Sequence, residues 1–233
     1  MKPNLFFALI LFGLPGCKSS APDKQNPNIL FCIMDDASIH LSAYGYDWCK
    51  TPAIDKIARN GILFSNAYTP NAKCAPSRAS VLTGRNPWQL EEAANHVNYF
   101  PSKFKTFPEA LRENGYVTAI CGKGWGPGNP GEIDGKPRNF FGEEWRDIKI
   151  KPWAKFMSNE DYAANFDAFL DSVKRGQPWF FWYGAREPHR PYEFMVGHNY
   201  RNKDISEIDS VPAYWPDSEI VRNDMLDYAT EVE

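Results

Sequence analysis

Three apolar runs constrain the fold of this chain more than any other feature. Residues 28–34 (NILFCIM), 116–121 (YVTAIC) and 178–185 (PWFFWYGA) carry almost no polar face, so we predict that each is a strand buried on both sides. Residues 62–68 (ILFSNAY) predict a further strand. Because helical patterns separate these runs, the sequence predicts an α/β fold with a largely parallel sheet flanked by helices.

The helical patterns carry recognisable start and stop residues. Segments 51–61 and 106–115 each begin at a threonine, contain a proline in the first turn and end at a glycine. Segments 160–176 and 217–232 are also predicted as helices, the first with an apolar stripe. In residues 74–84, Pro76 fits the first turn of a helix and Gly84 its C-terminal end, which places Cys74 at a helix N-terminus.

The N-terminal residues are typical of an export signal. A basic start is followed by an apolar stretch and by small residues before Cys17. We therefore predict a lipoprotein-type signal peptide over 1–17, a flexible tether over 18–27 and one domain over 28–233, with a plain secretory signal as the alternative. Both predict export to the periplasm or cell surface, with membrane attachment only through a lipid on Cys17.

Composition limits the classes of partner. The formal net charge is −3 and no run of lysines or arginines occurs, so nothing indicates a nucleic-acid partner. The segment GKGWGPG (122–128) lacks the spacing of a dinucleotide-binding loop, and no P-loop sequence occurs. The 8 Trp, 11 Tyr and 16 Phe fit either a sugar-binding cleft or an aromatic core.

Chemically unusual loops follow four of the predicted strands. Asp35 and Asp36 follow the first strand, and NAKCAPSR (71–78), GKGWGPG (122–128) and AREPHRPY (185–192) follow the others. Because ligands bind at the carboxyl ends of strands in open α/β sheets, we expect one shared site. Two adjacent aspartates repel unless a cation or hydrogen-bond donors compensate, and Ca²⁺ or Mg²⁺ would take such oxygen ligands. A solvated Asp-Asp turn is the alternative.

Cys74 and Arg78 suggest an anion site. A helix N-terminus stabilises anions, and Arg78, one turn further on, offers a planar fork of donors to an oxyanion. From the residues alone, Cys74 is either a thiolate nucleophile or a modified cysteine in an anion site.

The segment CAPSRASVLTGR (74–85) resembles the signature of the type I sulfatases, which belong to the alkaline-phosphatase-like superfamily. The other three loops occur in the family's order, and the resemblance extends along the chain from Asn28. Residues 88–96 (WQLEEAANH) and 211–233 most resemble the heparan N-sulfatase-like branch and its bacterial relatives. The resemblance implies hydrolysis of sulfate esters or N-sulfates, with an amino sugar or glycosaminoglycan fragment as substrate and a formylglycine-generating enzyme as partner.

The resemblance also assigns roles to individual residues. Cys74 would become formylglycine, Arg78 would assist it, and Lys123 and His189 would bind sulfate and take part in catalysis. Asp35, Asp36 and residue 74 would hold a divalent cation, Ca²⁺ by preference and Mg²⁺ as the alternative.

Two departures from the family pattern stand out. Trp125 occupies a position where many sulfatases have a histidine, so the identity of the leaving-group acid stays open. His96 is a candidate for that acid and for contacting the substrate. No apolar strand after residue 192 ends in the family's second ligand pair. We therefore expect an N-terminal part of a longer sulfatase that is inactive alone.

Two other functions are also compatible with the sequence. One is a phosphodiesterase or phosphonate hydrolase of the same superfamily. The other is a non-catalytic glycan-binding lipoprotein in which Cys74 stays a thiol.

Overall fold

The computed structural model describes residues 26–233, so the predicted signal peptide and most of the tether lie outside the described residues. The helices are α1 (Pro52–Asn60), α2 (Cys74–Thr83), α3 (Phe107–Glu113), α4 (Tyr162–Ser172), α5 (Val196–Arg201) and α6 (Glu219–Val232). The strands are β1 (Ile29–Ile33), β2 (Asn98–Tyr99), β3 (Val117–Gly122), β4 (Gly128–Asn129), β5 (Glu132–Ile133), β6 (Lys136–Pro137), β7 (Glu143–Glu144) and β8 (Trp179–Gly184). No helix in the described part is long and apolar enough to span a bilayer.

The central sheet has the strand order β1-β8-β3-β7, and all its neighbouring strands are parallel. Ile33 pairs with Gly184, and Gly184 pairs with Gly122, so β1, β8 and β3 end at the same level. This confirms the predicted α/β class. It also means that the loops after these three strands begin side by side.

Helices cover the sheet on both faces. On one face, α2 and α3 pack over Phe180 and Trp182, and on the other Phe169 of α4 packs over Phe181. The alternation of Phe180, Phe181 and Trp182 between two cores explains why β8 has no polar face. Helix α6 forms a third cluster with Leu41, Trp48, Cys49 and Ile208.

The helix ends follow the predicted residues closely. The Thr106 hydroxyl and the Glu109 carboxylate form a capping box at α3. Helix α2 begins at Cys74 and ends before Gly84, whose φ of 66° places it in the left-handed region and whose N–H donates to Ser80 O at 2.8 Å. Cys74 therefore stands at the N-terminus of α2, as predicted.

Two strand predictions need correction. Residues 62–68 form no strand, and Ile62, Phe64 and Tyr68 are largely exposed, because no described strand lies beside them to take their backbone hydrogen bonds. Strand β1 forms but lies at the edge of the sheet and is not buried on both sides. Leu30 is 48% exposed and Cys32 is also exposed, because on that face α4 packs over Phe181 of β8 and an open cavity remains beside β1.

Candidate functional site

Asp35 lies at the centre of a buried charge cluster. Its carboxylate accepts a hydrogen bond from Arg78 Nη2 at 3.1 Å and is also paired with Lys123 Nζ. The main-chain N–H of Asp35 donates to Glu187 O at 3.2 Å. Residues that follow β1, β3 and β8 thus meet one residue of α2, which confirms that these loops converge.

Arg78 links the members of this charge cluster to one another. Its Nη1 donates to the main-chain oxygens of Lys123 at 2.9 Å and Gly124 at 3.0 Å, while Nη2 reaches Asp35. The residue is 2% exposed. We expected its fork to face a bound oxyanion, but in the structure the fork is used on protein groups. In this structure Arg78 ties the loop after β3 to α2 and β1.

Two tryptophans support the same loop. Trp182 Nε1 donates to Lys123 O at 2.9 Å, so this oxygen accepts from both Trp182 and Arg78. Trp125 Nε1 donates to Ala75 O at 3.0 Å, directly after Cys74. Trp125, where the family often has a histidine, thus fixes the loop to the first turn of α2.

Cys74 differs from the buried cysteines. Its Sγ is only partly buried and lies 3.2 Å from His96 Nε2. Cys49 and Cys121 are fully buried, and burial raises the pKa of Cys49 to about 12 and that of Cys121 to about 11. A buried thiol of this kind behaves as a small apolar group. Among these cysteines, Cys74 is the one whose side chain meets a histidine at a helix N-terminus.

The residues before and after His96 in the sequence are both fixed in place. Ala93, three residues before it, is fully buried in the core that α2 forms. After it, Val97 N donates to Pro127 O at 3.2 Å, and β2 pairs with β4. The segment that follows Lys123 therefore also places His96 beside Cys74.

Asp36 has an environment unlike that of Asp35. Its side chain is 61% exposed, and Oδ2 lies 3.6 Å from His189 Nε2. Its φ of 62° is uncommon for a residue with a side chain, although aspartate tolerates it better than most. Asp36 is therefore exposed to solvent, whereas Asp35 is buried.

The described residues do not form a complete metal site. Within 26–233, no three His, Cys, Asp or Glu side chains are placed to hold one ion together. Asp35 already faces two cationic side chains, and Cys74 contacts His96. The structure therefore does not gather Asp35, Asp36 and Cys74 into the predicted ligand set.

Glu187 is a site residue that the sequence analysis missed. Its carboxylate accepts from Ser158 N at 2.7 Å and from the Tyr162 hydroxyl at 3.0 Å, which holds the loop after β8 against α4. Burial raises the pKa of Tyr162, so its hydroxyl stays protonated and donates. The glutamate stands two residues before His189, but no spacing rule distinguishes it from a solvated loop residue.

Comparison with known proteins agrees with this geometry. Residues 27–219 match the sequence model of the sulfatase family, named Sulfatase. The chain is 33% identical over 184 residues to an ulvan-active sulfatase of Formosa agariphila, covering 78% of this chain and 34% of that protein. It is 31% identical over 214 residues to an N-acetylglucosamine-6-O-sulfatase of Bacteroides thetaiotaomicron, covering 82% of this chain and 36% of that protein.

A solved structure shows the same likeness. A protein in complex with its substrate D-glucosamine-2-N,6-O-disulfate superposes with a TM-score of 0.58 at 27% identity, covering 80% of this chain and 39% of that chain. The chain spans about a third of the length of the curated relatives named above.

The chain belongs to the sulfatase family, and its fold is the mixed, largely parallel α/β fold of that family and its alkaline-phosphatase-like relatives. The family model and both relatives named above are described as sulfatases.

Proposed function

We propose that the protein of which this chain is a part hydrolyses sulfate esters or N-sulfate groups on a sugar, with an amino sugar or glycosaminoglycan fragment as the substrate class. The observation that carries the proposal is the placement of Cys74. It stands at the N-terminus of α2, in contact with His96, while Arg78 of the same helix joins Asp35 and the Lys123 loop. The relatives named as sulfatases of amino sugars and of ulvan support the same reading.

In this proposal, the hydrate of a formylglycine made from Cys74 would supply a hydroxyl as the nucleophile. Covalent catalysis of this kind divides the hydrolysis into two steps. The Sγ of Cys74 marks the place of that oxygen. The amides at the start of α2 and the Lys123 ammonium stabilise the sulfate oxygens. Arg78 and Trp182 both donate to the main-chain oxygen of Lys123 and so hold the lysine in place, and Arg78 would also assist the nucleophile. His189 and His96 are the candidate proton donors and substrate contacts.

The proposal includes a divalent cation, Ca²⁺ by preference and Mg²⁺ as the alternative, because both take carboxylate oxygens. Asp35 and Asp36 are its candidate ligands in this chain. Two carboxylates do not complete a coordination shell, so other oxygen donors would be needed to complete it.

The proposal extends to maturation and location. The protein would be exported to the periplasm or cell surface, with a lipid on Cys17 as its anchor. A formylglycine-generating enzyme would convert Cys74. The sequence of residues 1–17 is what supports export.

The test is to express the full-length protein with and without a formylglycine-generating enzyme and to analyse the peptide that contains residue 74 by mass spectrometry. The same samples are assayed for sulfate release from sulfated saccharides and for hydrolysis of a phosphonate monoester, before and after EDTA treatment. We expect an aldehyde at residue 74, sulfate release that depends on it, and recovery of activity with Ca²⁺. Faster phosphonate hydrolysis would favour that alternative, and glycan binding by an unconverted Cys74 without turnover would favour the glycan-binding protein.

A further inference from the structure

A cavity of about 300 Å³ opens beside Asp36. Asp36 has His189 near its carboxylate and also lines this cavity, so the cavity adjoins the candidate catalytic site. This volume is at the lower end of the range for small-molecule sites and is suited to a group the size of one sugar ring.

Aromatic side chains form much of the cavity wall. Tyr214 and Trp215, from the segment that precedes α6, lie 5.2 Å apart between ring centroids at an angle of 74°. Tyr214 is 75% exposed and Trp215 is 44% exposed. Such large apolar rings are left open to solvent here, although they could have been buried in the core. Flat aromatic surfaces with a polar edge suit a ligand that has one apolar and one polar face.

An ion pair supplies the polar part of the wall. Arg190, which follows His189 directly, pairs with Asp224 of α6, and its guanidinium lies 4.6 Å from the centroid of the Tyr192 ring. The Asp224 side chain is 34% exposed and that of Arg190 is 60% exposed, so both can still reach a ligand. Because the two charges offset each other, the pair offers donors and acceptors together without a net charge. Neighbouring hydroxyl groups need this combination, whereas a second anionic group would need unpaired cations.

We propose that this cavity binds the sugar ring that carries the scissile sulfate, with Trp215 and Tyr214 against its apolar face and Arg190 and Asp224 on its hydroxyl groups. The inference deepens the proposed function and rests on it for the identity of the substrate. It also assigns a use to part of the high aromatic content. The wall is built by residues that follow β1, by the loop after β8, by Tyr214 and Trp215, and by one face of α6.

The test compares Trp215→Ala and Tyr214→Ala with Trp88→Ala in the full-length, converted protein. Trp88 is a matched control because it is 77% exposed and does not line this cavity. Kinetics are measured on a sulfated saccharide that the wild type hydrolyses and on a small aryl sulfate that has no sugar. We expect Trp215→Ala to raise KM for the saccharide about tenfold, with kcat/KM for the aryl sulfate changed less than about twofold. Equal loss on both substrates, or no difference from Trp88→Ala, overturns the inference.

A second readout separates this inference from the proposed function. Binding of a panel of sulfated and sulfate-free mono- and oligosaccharides is followed by calorimetry, with no turnover required. Binding that weakens about tenfold in Trp215→Ala and Asp224→Ala supports the cavity even if the protein releases no sulfate. If no saccharide of the panel binds the wild type, or if all variants bind equally, the cavity is not a sugar site. Circular dichroism of each variant checks that the fold is intact.

Discussion

At the scale of single residues, the site separates side chains that hold it together from side chains that face its opening. Asp35 and Arg78 are buried, and each has its polar atoms paired with protein groups. Cys74, Asp36 and His189 are more exposed and have few polar contacts. Substitutions in the two groups should therefore differ in their effect on stability.

Cys74→Ala should abolish sulfate release and leave the free energy of unfolding within about 1 kcal/mol of the wild type, because the side chain is half-buried and its contact is one histidine. Asp36→Asn should behave in the same way, because asparagine tolerates the φ of 62° as aspartate does. Sulfate release and urea unfolding measure the two effects. Activity above about a hundredth of the wild type in either variant would contradict the assigned roles.

Arg78→Ala should lower both activity and stability. The change leaves the buried Asp35 carboxylate and the Lys123 and Gly124 oxygens short of donors, which predicts a loss of about 3–5 kcal/mol in the free energy of unfolding. Arg78→Lys keeps the charge but not the planar guanidinium, so its free energy of unfolding should fall less than that of Arg78→Ala. Urea unfolding curves measure both variants, and equal stability of Arg78→Ala and Cys74→Ala would argue against the positioning role.

At the scale of elements, the close approach of β3 and β8 brings their C-terminal loops together. Gly122 has a φ of 83°, and a Cβ at this position would meet the Gly184 carbonyl oxygen. Glycine is required here both by the backbone angle and by the contact.

Gly122→Ala and Gly115→Ala separate these two effects. Gly115 has almost the same φ, 84°, but a Cβ there would meet nothing within 4 Å. The free energy of unfolding of both variants should fall by about 1 kcal/mol, because alanine is strained at these positive φ angles. Gly122→Ala should lose about 1–3 kcal/mol more and also lose activity, because the Lys123 loop must shift. Equal stability of the two variants by thermal unfolding would show that the strand contact does not matter.

At the scale of the whole molecule, buried carboxylates of α6 and of the β8 loop make stability depend on pH. Burial, together with Glu187 and Asp227, raises the pKa of Glu231 to about 7. Its Oε1 is buried without a hydrogen-bond partner. The folded state therefore keeps this proton at pH values where the unfolded chain has lost it, so the stability contribution of Glu231 is present below the unfolded pKa and is lost as pH rises to about 7.

Glu231→Gln should remove this part of the pH dependence. At pH 8 we expect the free energy of unfolding of the variant to exceed that of the wild type by on the order of 1 kcal/mol, after allowance for solvent screening. At pH 4.5 we expect little difference. Urea unfolding at several pH values measures the difference. Glu219→Gln is a control, because Glu219 is an exposed glutamate on the same helix α6. The same gain in the control, or a gain at pH 4.5 as large as at pH 8, would contradict the assignment to Glu231.

Much of the architecture followed from local patterns. Helices α2, α3 and α6 begin near their predicted residues because caps, prolines and glycines act on the first and last turns of the same helix. Strands β3 and β8 were predictable because they are buried on both faces. The absence of a strand at 62–68 could not be predicted, because an apolar run becomes a strand only when a neighbouring strand takes its backbone hydrogen bonds.

For the site, the sequence alone placed Cys74 at a helix N-terminus and brought Asp35, Lys123 and His189 to strand ends, because parallel strands share one carboxyl edge. Only the tertiary structure decided that Arg78 donates its hydrogen bonds to Asp35 and the Lys123 loop. It also decided that Asp35 is buried while Asp36 is exposed, and that His96 contacts Cys74. These outcomes depend on contacts between residues more than 20 positions apart, or on the direction of one backbone turn. Neither periodicity nor spacing along the chain records such information.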